Sequence, residues 1–365
     1  MSRQRTILIV LIAAAVLAAA FCCYRAFFRP TRILVVNALP AQAAELLLNN
    51  DNPRISIDCR AMDQAGDFEK YDAVLMYGRG LYLDSAQTAA LERAAGRGVP
   101  IFTNTLRNFS VVVNRNVDSI QVRALNTYFR NACGANYRNM VRYVRSFATP
   151  GLVGDKSFKE PVELPSDMFY HRRGGEYFGT ASELTDYLKR EGIYNEGGRS
   201  VALISGVNFP VEGNRAHVDT LISRLTALGY NVYPLSAAGT RRAEMLRSLD
   251  PAAVVYLPMG RLGNDSLVDW LYARNTPLFM PFPLIQPRNE WLDVNKPLDG
   301  GTLNARIVVP EIDGAMAPLC ISTQDTDDRG LPRYNPVPER VDAFLEQFDR
   351  FMTLRTTPNR DKRDS

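Results

Sequence analysis

The chain has 365 residues, enough for about two domains of ordinary size, and its 46% hydrophobic and 22% charged residues describe a folded protein rather than a disordered one. A net charge of +4 is small for this length, so no global argument for nucleic acid as a partner survives. Five scattered cysteines exclude a disulfide scaffold, and with two histidines and no Cys-x-x-Cys pair no protein-built metal site is expected.

Residues 1–30 read as an amino-terminal membrane anchor. Nineteen uncharged residues run from Thr6 to Tyr24, close to the roughly 20 that a helix needs to cross a hydrocarbon core. Arginines flank both sides, so charge asymmetry sets no orientation. The rival reading is a cleaved signal peptide, for which Ala18-Ala19-Ala20 offers a small-residue site. As an anchor, the run predicts an inner-membrane protein whose soluble part is periplasmic.

Residues 31–150 alternate short apolar runs with helical periodicity, from "RILVVNA" through "RISIDC" and "YDAVLMYGRG" to "GVPIFTNT". Near-continuous Val, Ile and Leu in such runs predict a parallel sheet covered on both faces, extended here by a helical stretch. Seven arginines stand against one acid between Arg107 and Arg145. They form either a solvated, salt-bridged face or a contact for an anionic partner. Residues 151–198, rich in Gly and Pro, read as an irregular connector.

The same grammar returns over residues 199–340, in "VALISGVNF", "YNVYPLS", "PAAVVYLPMGRLG" and "NTPLF". Residues 341–365 close the chain with an amphipathic helix, on Val341, Phe344, Leu345, Phe348 and Met352, and a polar tail. An internal repeat links the units: "DAVLMYGRG" with its helix and "GVPIF" matches "AAVVYLPMGRLG" with its helix and "NTPLF". The fold class is therefore α/β, with two flavodoxin-like parallel-sheet units following a transmembrane helix.

Open sheets of this kind bind ligands beyond the carboxyl ends of their strands. That rule selects Asn37, Gly78-Arg79-Gly80 and Asn104 in the first unit, and Asn208, Met259-Gly260-Arg261 and Pro310 to Gly314 in the second. No G-x-x-x-x-G-K-[ST] loop is present, so a nucleotide site has little support. Gly-Arg after a strand either makes a turn or presents an amide and a guanidinium to an anion. His171, with Tyr170 beside it, is either a hydrogen-bonded structural residue or a proton carrier. In "RIVVPEIDGA" a buried strand is expected to end at Pro310, leaving Glu311 and Asp313 either as turn residues or as carboxylates facing a ligand.

The segments "VVPEIDGAMAP", "NYRNMVRYV", "PSDMFYH" and "VPERVDAFLEQFDRFMTLRTTPNRDKR" resemble the cobaltochelatase CobN and magnesium chelatase H-subunit family, in its membrane-anchored, Bacteroidetes-type, HmuS-like form. Where many members have proline after the histidine of the Tyr-His pair, this chain has Arg172. The resemblance implies the amino-terminal part of a large subunit that binds a tetrapyrrole, corrin or haem, and inserts or removes a divalent metal. No cofactor of its own is implied; ATP would act only through AAA+ partner subunits, and a carboxyl-terminal portion would be missing. By this analogy Glu311, Asp313 and His171 are candidate acid/base groups. Arg261 and Arg79 are candidates for the ring's propionates, with Gly260, Met259, Asn208 and Tyr170 as further contacts. The alternative expectation is a non-catalytic tetrapyrrole- or small-ligand-binding module resembling periplasmic binding proteins.

Overall fold

A computed structural model describes residues 3–24, 29–78, 80–104, 113–149, 156–171, 177–205, 214–257, 260–293, 296–328 and 331–357. The chain divides into two compact units, Met1–Glu163 and Leu164–Ser365. Both are α/β and both are built on parallel strands.

Helix α1 (Arg3–Cys23) leads the first unit. The anchor expected there is not supported: among the described residues no helix is long and apolar enough to cross a membrane. Arg3 and Arg5 are taken into the helix, and the 18 residues from Thr6 to Cys23 include six alanines.

The sheet of the first unit comprises β1 (Thr31–Val36), β2 (Ile55–Arg60), β3 (Ala73–Tyr77) and β4 (Ile101–Asn104), between which come α2 (Pro40–Asn49) and α3 (Ser85–Gly96). Its order is β2-β1-β3-β4, and every pair is parallel. All five residues of β3 are buried, which is why its run is continuously apolar rather than alternating. Helix α3 begins where Asp84 accepts from the Gln87 amide at 2.7 Å and Gln87 Oε1 accepts from the Asp84 amide at 3.1 Å. Such a reciprocal cap contributes about 1 kcal/mol.

Helices α4 (Ser119–Arg130) and α5 (Gly134–Ala148) follow. The arginines of α5 are held within the unit: Arg138 and Arg142 both pair with Asp51, at 3.2 and 2.9 Å. Arg145, 1% exposed, donates to Thr31 Oγ1 at 2.6 Å and to the Arg54 carbonyl at 3.0 Å. These contacts favour the salt-bridged face over an anionic partner.

In the second unit, β5 (Met168–Tyr170), β6 (Tyr177–Phe178) and α6 (Ala181–Arg190) come first. They occupy the stretch expected as an irregular connector, which is corrected here. The two strands are too short to show periodicity in sequence, and they are fixed by tertiary pairing with the next sheet. After them come β7 (Ser200–Ile204), α7 (Ala216–Ala227), β8 (Asn231–Ser236), α8 (Gly239–Leu249), β9 (Ala253–Tyr256), α9 (Asp265–Ala273) and β10 (Leu278–Phe279). The sheet order is β10-β9-β7-β8-β5-β6. β10, β9, β7 and β8 are parallel, while β5 is antiparallel to β8 and β6 is antiparallel to β5.

The remaining elements are β11 (Phe282–Pro283), α10 (Arg288–Trp291), α11 (Gly300–Leu303), a π-turn (Asn304–Val308), α12 (Val309–Ile312), β12 (Cys320–Thr326), β13 (Pro332–Pro336) and α13 (Pro338–Thr356). One core face packs α6, α8 and α9 on the sheet, and the opposite face packs α7 and α13.

The strand expected over "RIVV" is instead helical, a second correction. Asp299 caps α11 by accepting from the Thr302 amide at 2.9 Å, and the chain then winds through the π-turn into α12. Ile307 packs against the small cluster of Phe282, Leu284 and Cys320, so burial overrides the strand preference of the β-branched run. Pro310 falls in the first turn of α12, where no amide donor is required.

The internal repeat is visible bond for bond. The Val74 amide donates to the Pro100 carbonyl at 2.9 Å, and the Val254 amide donates to the Pro277 carbonyl at 2.9 Å. After each strand comes a left-handed glycine, Gly80 at φ 68° and Gly260 at φ 97°, then a buried leucine, Leu81 or Leu262. A side-chain cap opens each following helix, Asp84 in one unit and Asn264 in the other.

Candidate functional site

In the second sheet the chain moves from β7 outward to β8 and then crosses back to β9 on the other side of β7. The connecting helices lie on opposite faces, α7 on one and α8 on the other. The helices that follow the neighbouring strands β7 and β9, α7 and α9, lie on opposite faces, and the carboxyl ends of such a strand pair are the place where these sheets form a ligand crevice. The π-turn lies against this edge, since the Gly260 amide donates to the Ala305 carbonyl at 2.8 Å. π-Turns often mark functional sites, because they displace side chains from helical register.

Arg261 and Asp313, far apart in sequence, are brought together. Arg261 Nε donates to Asp313 Oδ1 at 2.8 Å, its Nη2 reaches Asp265 at 2.7 Å, and the Leu262 amide donates to Asp313 Oδ2 at 3.3 Å. The Asp313 side chain is 1% exposed and that of Arg261 41%. Hydrogen bonds to Asp313, then to Asp265, raise the proton affinity of the guanidinium further. The pair fastens the end of α12 to the loop after β9. Beside it Asp313-Gly314 makes the turn, with Gly314 at φ 77°. Glu311 is exposed on α12. Gly260 uses its left-handed conformation to turn the chain, and its carbonyl accepts from the Tyr256 hydroxyl at 3.3 Å.

Tyr170 and His171 form a second group. The Tyr170 side chain is 1% exposed, its hydroxyl is 2.9 Å from Ser205 Oγ just past β7, and burial pushes its phenol pKa upward. The Arg215 guanidinium lies over the Tyr170 ring, 5.1 Å from its centre, and donates to the His171 carbonyl at 2.9 Å. Arg215 is anchored in turn by Asp219, at 2.9 Å from Nε and 2.6 Å from Nη2. His171 lines a cavity of about 280 Å³ with Tyr187, Glu191, Asp219 and Ser223. Tyr170 is thus part of the core beneath α7, touching the end of β7 through Ser205, while its neighbour faces a space between α6 and α7. Arg79, Asn208 and Met259 lie outside the described residues.

His217 is the residue that the sequence pattern does not single out. It occupies the first turn of α7, is 0% exposed, and has no hydrogen-bond partner at Nδ1 or Nε2 among the described residues. Its ring sits 4.5 Å from that of Tyr334. Burial, then the charges of Arg306 and Arg215, push its pKa down to about 3. The signal was available: with Leu221 and Leu225 at following i+4 positions, His217 falls on the inward stripe of its helix. Arg306, on the π-turn, is itself held below the usual arginine range by burial.

At the carboxyl end of the first sheet, Asn37 adopts φ 63° and its amide donates to the Tyr77 carbonyl at 2.8 Å. Asn104 is 2% exposed, and neither atom of its amide has a partner among the described residues. In neither unit do three or more His, Cys, Asp or Glu residues among those described form a group able to hold a metal.

An α/β chain whose second sheet carries its polar side chains at the switch point belongs to a broad class of ligand-binding folds. Comparison narrows the class. The pattern of the CobN/Magnesium Chelatase family matches residues 126–363, and the chain belongs to that family. It is 23% identical over 220 residues to the H subunit of magnesium chelatase from Chlorobaculum parvum, covering 55% of this chain and 17% of that protein. It is also 23% identical over 239 residues to the CobN subunit of aerobic cobaltochelatase from Pseudomonas aeruginosa, covering 62% of this chain and 18% of that one. The chain therefore spans less than a fifth of the length of these curated relatives. In fold it is similar to the catalytic subunit of cobaltochelatase from Mycobacterium tuberculosis, with a TM-score of 0.61 at 18% identity, over 90% of this chain and 28% of that one.

Proposed function

We propose that this chain is the ring-receiving part of a metal-tetrapyrrole chelatase large subunit, and that the crevice beyond β7 and β9 receives the ring. The observation that carries the reading is the family match, which runs through the whole second unit and includes every polar group at that crevice. A tetrapyrrole and a divalent metal are the substrates, and ATP acts through partner subunits.

Metal insertion requires two pyrrole protons to leave the ring, so it needs a base with access to the ligand. Glu311 is exposed on α12 and is the carboxylate assigned that task. Asp313 is buried and bonded to Arg261, which suits it to positioning: the pair holds α12, and with it Glu311, at the crevice. His171 opens on the α6/α7 cavity and would relay protons there. Gly260 follows β9 and the Tyr170 hydroxyl meets Ser205 at the end of β7, and both, with Arg79, Asn208 and Met259, keep their sequence-based assignment as ring contacts.

Insertion is the direction proposed over haem removal of the HmuS type, in line with relatives named for magnesium and cobalt chelation. A second reading, a binding module without chemistry, is favoured by the mutual engagement of Arg261 and Asp313. Titration with a metal-free porphyrin and a metal-free corrin, followed in the visible bands, separates the two. Binding followed by uptake of Co²⁺ or Mg²⁺ supports the chelatase, binding without uptake supports the module, and no binding overturns both.

A further inference from the structure

A neutral imidazole carries one donor and one acceptor, and among the described residues His217, wholly buried, satisfies neither. Native interiors rarely leave such atoms unmet, so an orphan of this kind points to a guest. Its position says what guest. α7 is a 12-residue helix whose cap residue, Arg215, supplies no side-chain hydrogen bond to the first-turn amides. Those amides carry the positive end of the helix dipole. The charges that reach the imidazole are the guanidinium groups of Arg306, on the π-turn, and Arg215; Tyr334 from β13 covers its ring. Asp219, one turn further along α7, faces Arg215 and is bonded to it. A guest set among a helix start and two guanidinium groups is an anion.

We infer that His217, with the first turn of α7 and Arg306, forms a carboxylate-binding subsite that takes one acidic side chain of the tetrapyrrole. The subsite rests on the tetrapyrrole reading above. One carboxylate oxygen accepts from the imidazole N–H and the other from an amide at the very start of α7, since those of Val218 and Asp219 already donate to the Arg215 carbonyl at 2.9 and 3.0 Å. Burial and the two guanidinium groups favour the neutral imidazole when no carboxylate lies beside it. A bound carboxylate raises its proton affinity, so that binding is accompanied by uptake of a proton at the second ring nitrogen.

The chain has two histidines, His171 and His217, so ¹⁵N-imidazole NMR of the full chain reads each separately. The probes are a metal-free porphyrin bearing propionates and the same ring with the propionates converted to amides, added at pH 6. The expected result is that the His217 nitrogens shift with the acid ring only. H217F should bind that ring about tenfold or more weakly and the amide ring unchanged. H217Q, which keeps a donor and an acceptor, should recover part of the loss, and circular dichroism verifies that both variants fold. Equal binding of the acid ring to wild type and both variants, with His217 signals unmoved, overturns the subsite alone, an ordered water then satisfying the imidazole. Failure of both rings to bind wild type overturns the tetrapyrrole reading and the subsite together.

Discussion

The two copies of the strand, turn, helix and strand repeat share hydrogen bonds, a left-handed glycine and a side-chain cap, yet differ in what is laid against their carboxyl ends. In the first unit the turn at Gly80 leads straight into the capped helix α3. In the second, the equivalent turn at Gly260 is bonded to the π-turn, and the next residue, Arg261, is held by Asp313 and Asp265. The framework that packs the core is common to both. The polar contacts of the candidate site sit in segments added around one of them, a division common where strands and helices supply stability and the loops beyond them vary.

The largest expected effect breaks the symmetry with acid. Both histidines lie in the second unit. The folded-state pKa of His217, about 3, is below its ordinary value of about 6.5, so the fold favours the neutral ring. Its stabilising contribution is complete above pH 6.5 and is lost as pH falls from there toward 3, by up to roughly 4 kcal/mol. Urea titrations across that range should show the second unit losing stability first, and H217F should flatten the slope. An unchanged slope in H217F contradicts the assignment.

Next is the clamp. D313A removes the buried carboxylate from Arg261 and the Leu262 amide and should cost about 2–4 kcal/mol, seen as a lower urea midpoint of the second unit. The two turn glycines sharpen the comparison further. Neither has an atom within 4 Å of an added Cβ, so alanine there reports backbone strain alone. At φ 97° Gly260 lies further from the left-handed well than Gly80 at φ 68°; G260A should cost about 2 kcal/mol and G80A about 1. Smallest of the stability effects are the caps. D84A and N264A should each cost about 1 kcal/mol, and a large inequality would mean that the two helix starts are not equivalent. E311Q should leave stability within about 0.5 kcal/mol, because the side chain is exposed, while slowing metal uptake about tenfold or more.

The elements legible in the sequence were those governed by local patterns. Continuous apolar runs marked β1, β3, β7 and β9, and the Gly-Arg turns after β3 and β9 marked where the next helices follow. The run at Arg306–Val309 misled because its β-branched residues favour a strand, whereas the Asp299 cap and the burial of Ile307 decide for a helix. β5 and β6 were missed because three and two residues carry no period, and only pairing with β8 defines them. Of the candidate site, Glu311 and Asp313 were selected as residues beyond an expected strand that is helical instead, Arg261 from its place after β9, and all three from the family resemblance. That Asp313 and Arg261 engage each other depends on contact across 52 positions, which no local pattern encodes. The sequence places His217 on the inward stripe of α7, and its burial without a hydrogen-bond partner among the described residues sets it apart.

The π-turn at Asn304–Val308 makes the aim of Glu311 sensitive to length as well as to composition. Shortening it by one residue to an ordinary α-turn would rotate everything downstream by about 100°. Glu311 would then point along a new bearing while every side chain in the segment stayed chemically the same. A single-codon deletion could therefore retune this edge of the molecule in a way that substitutions cannot.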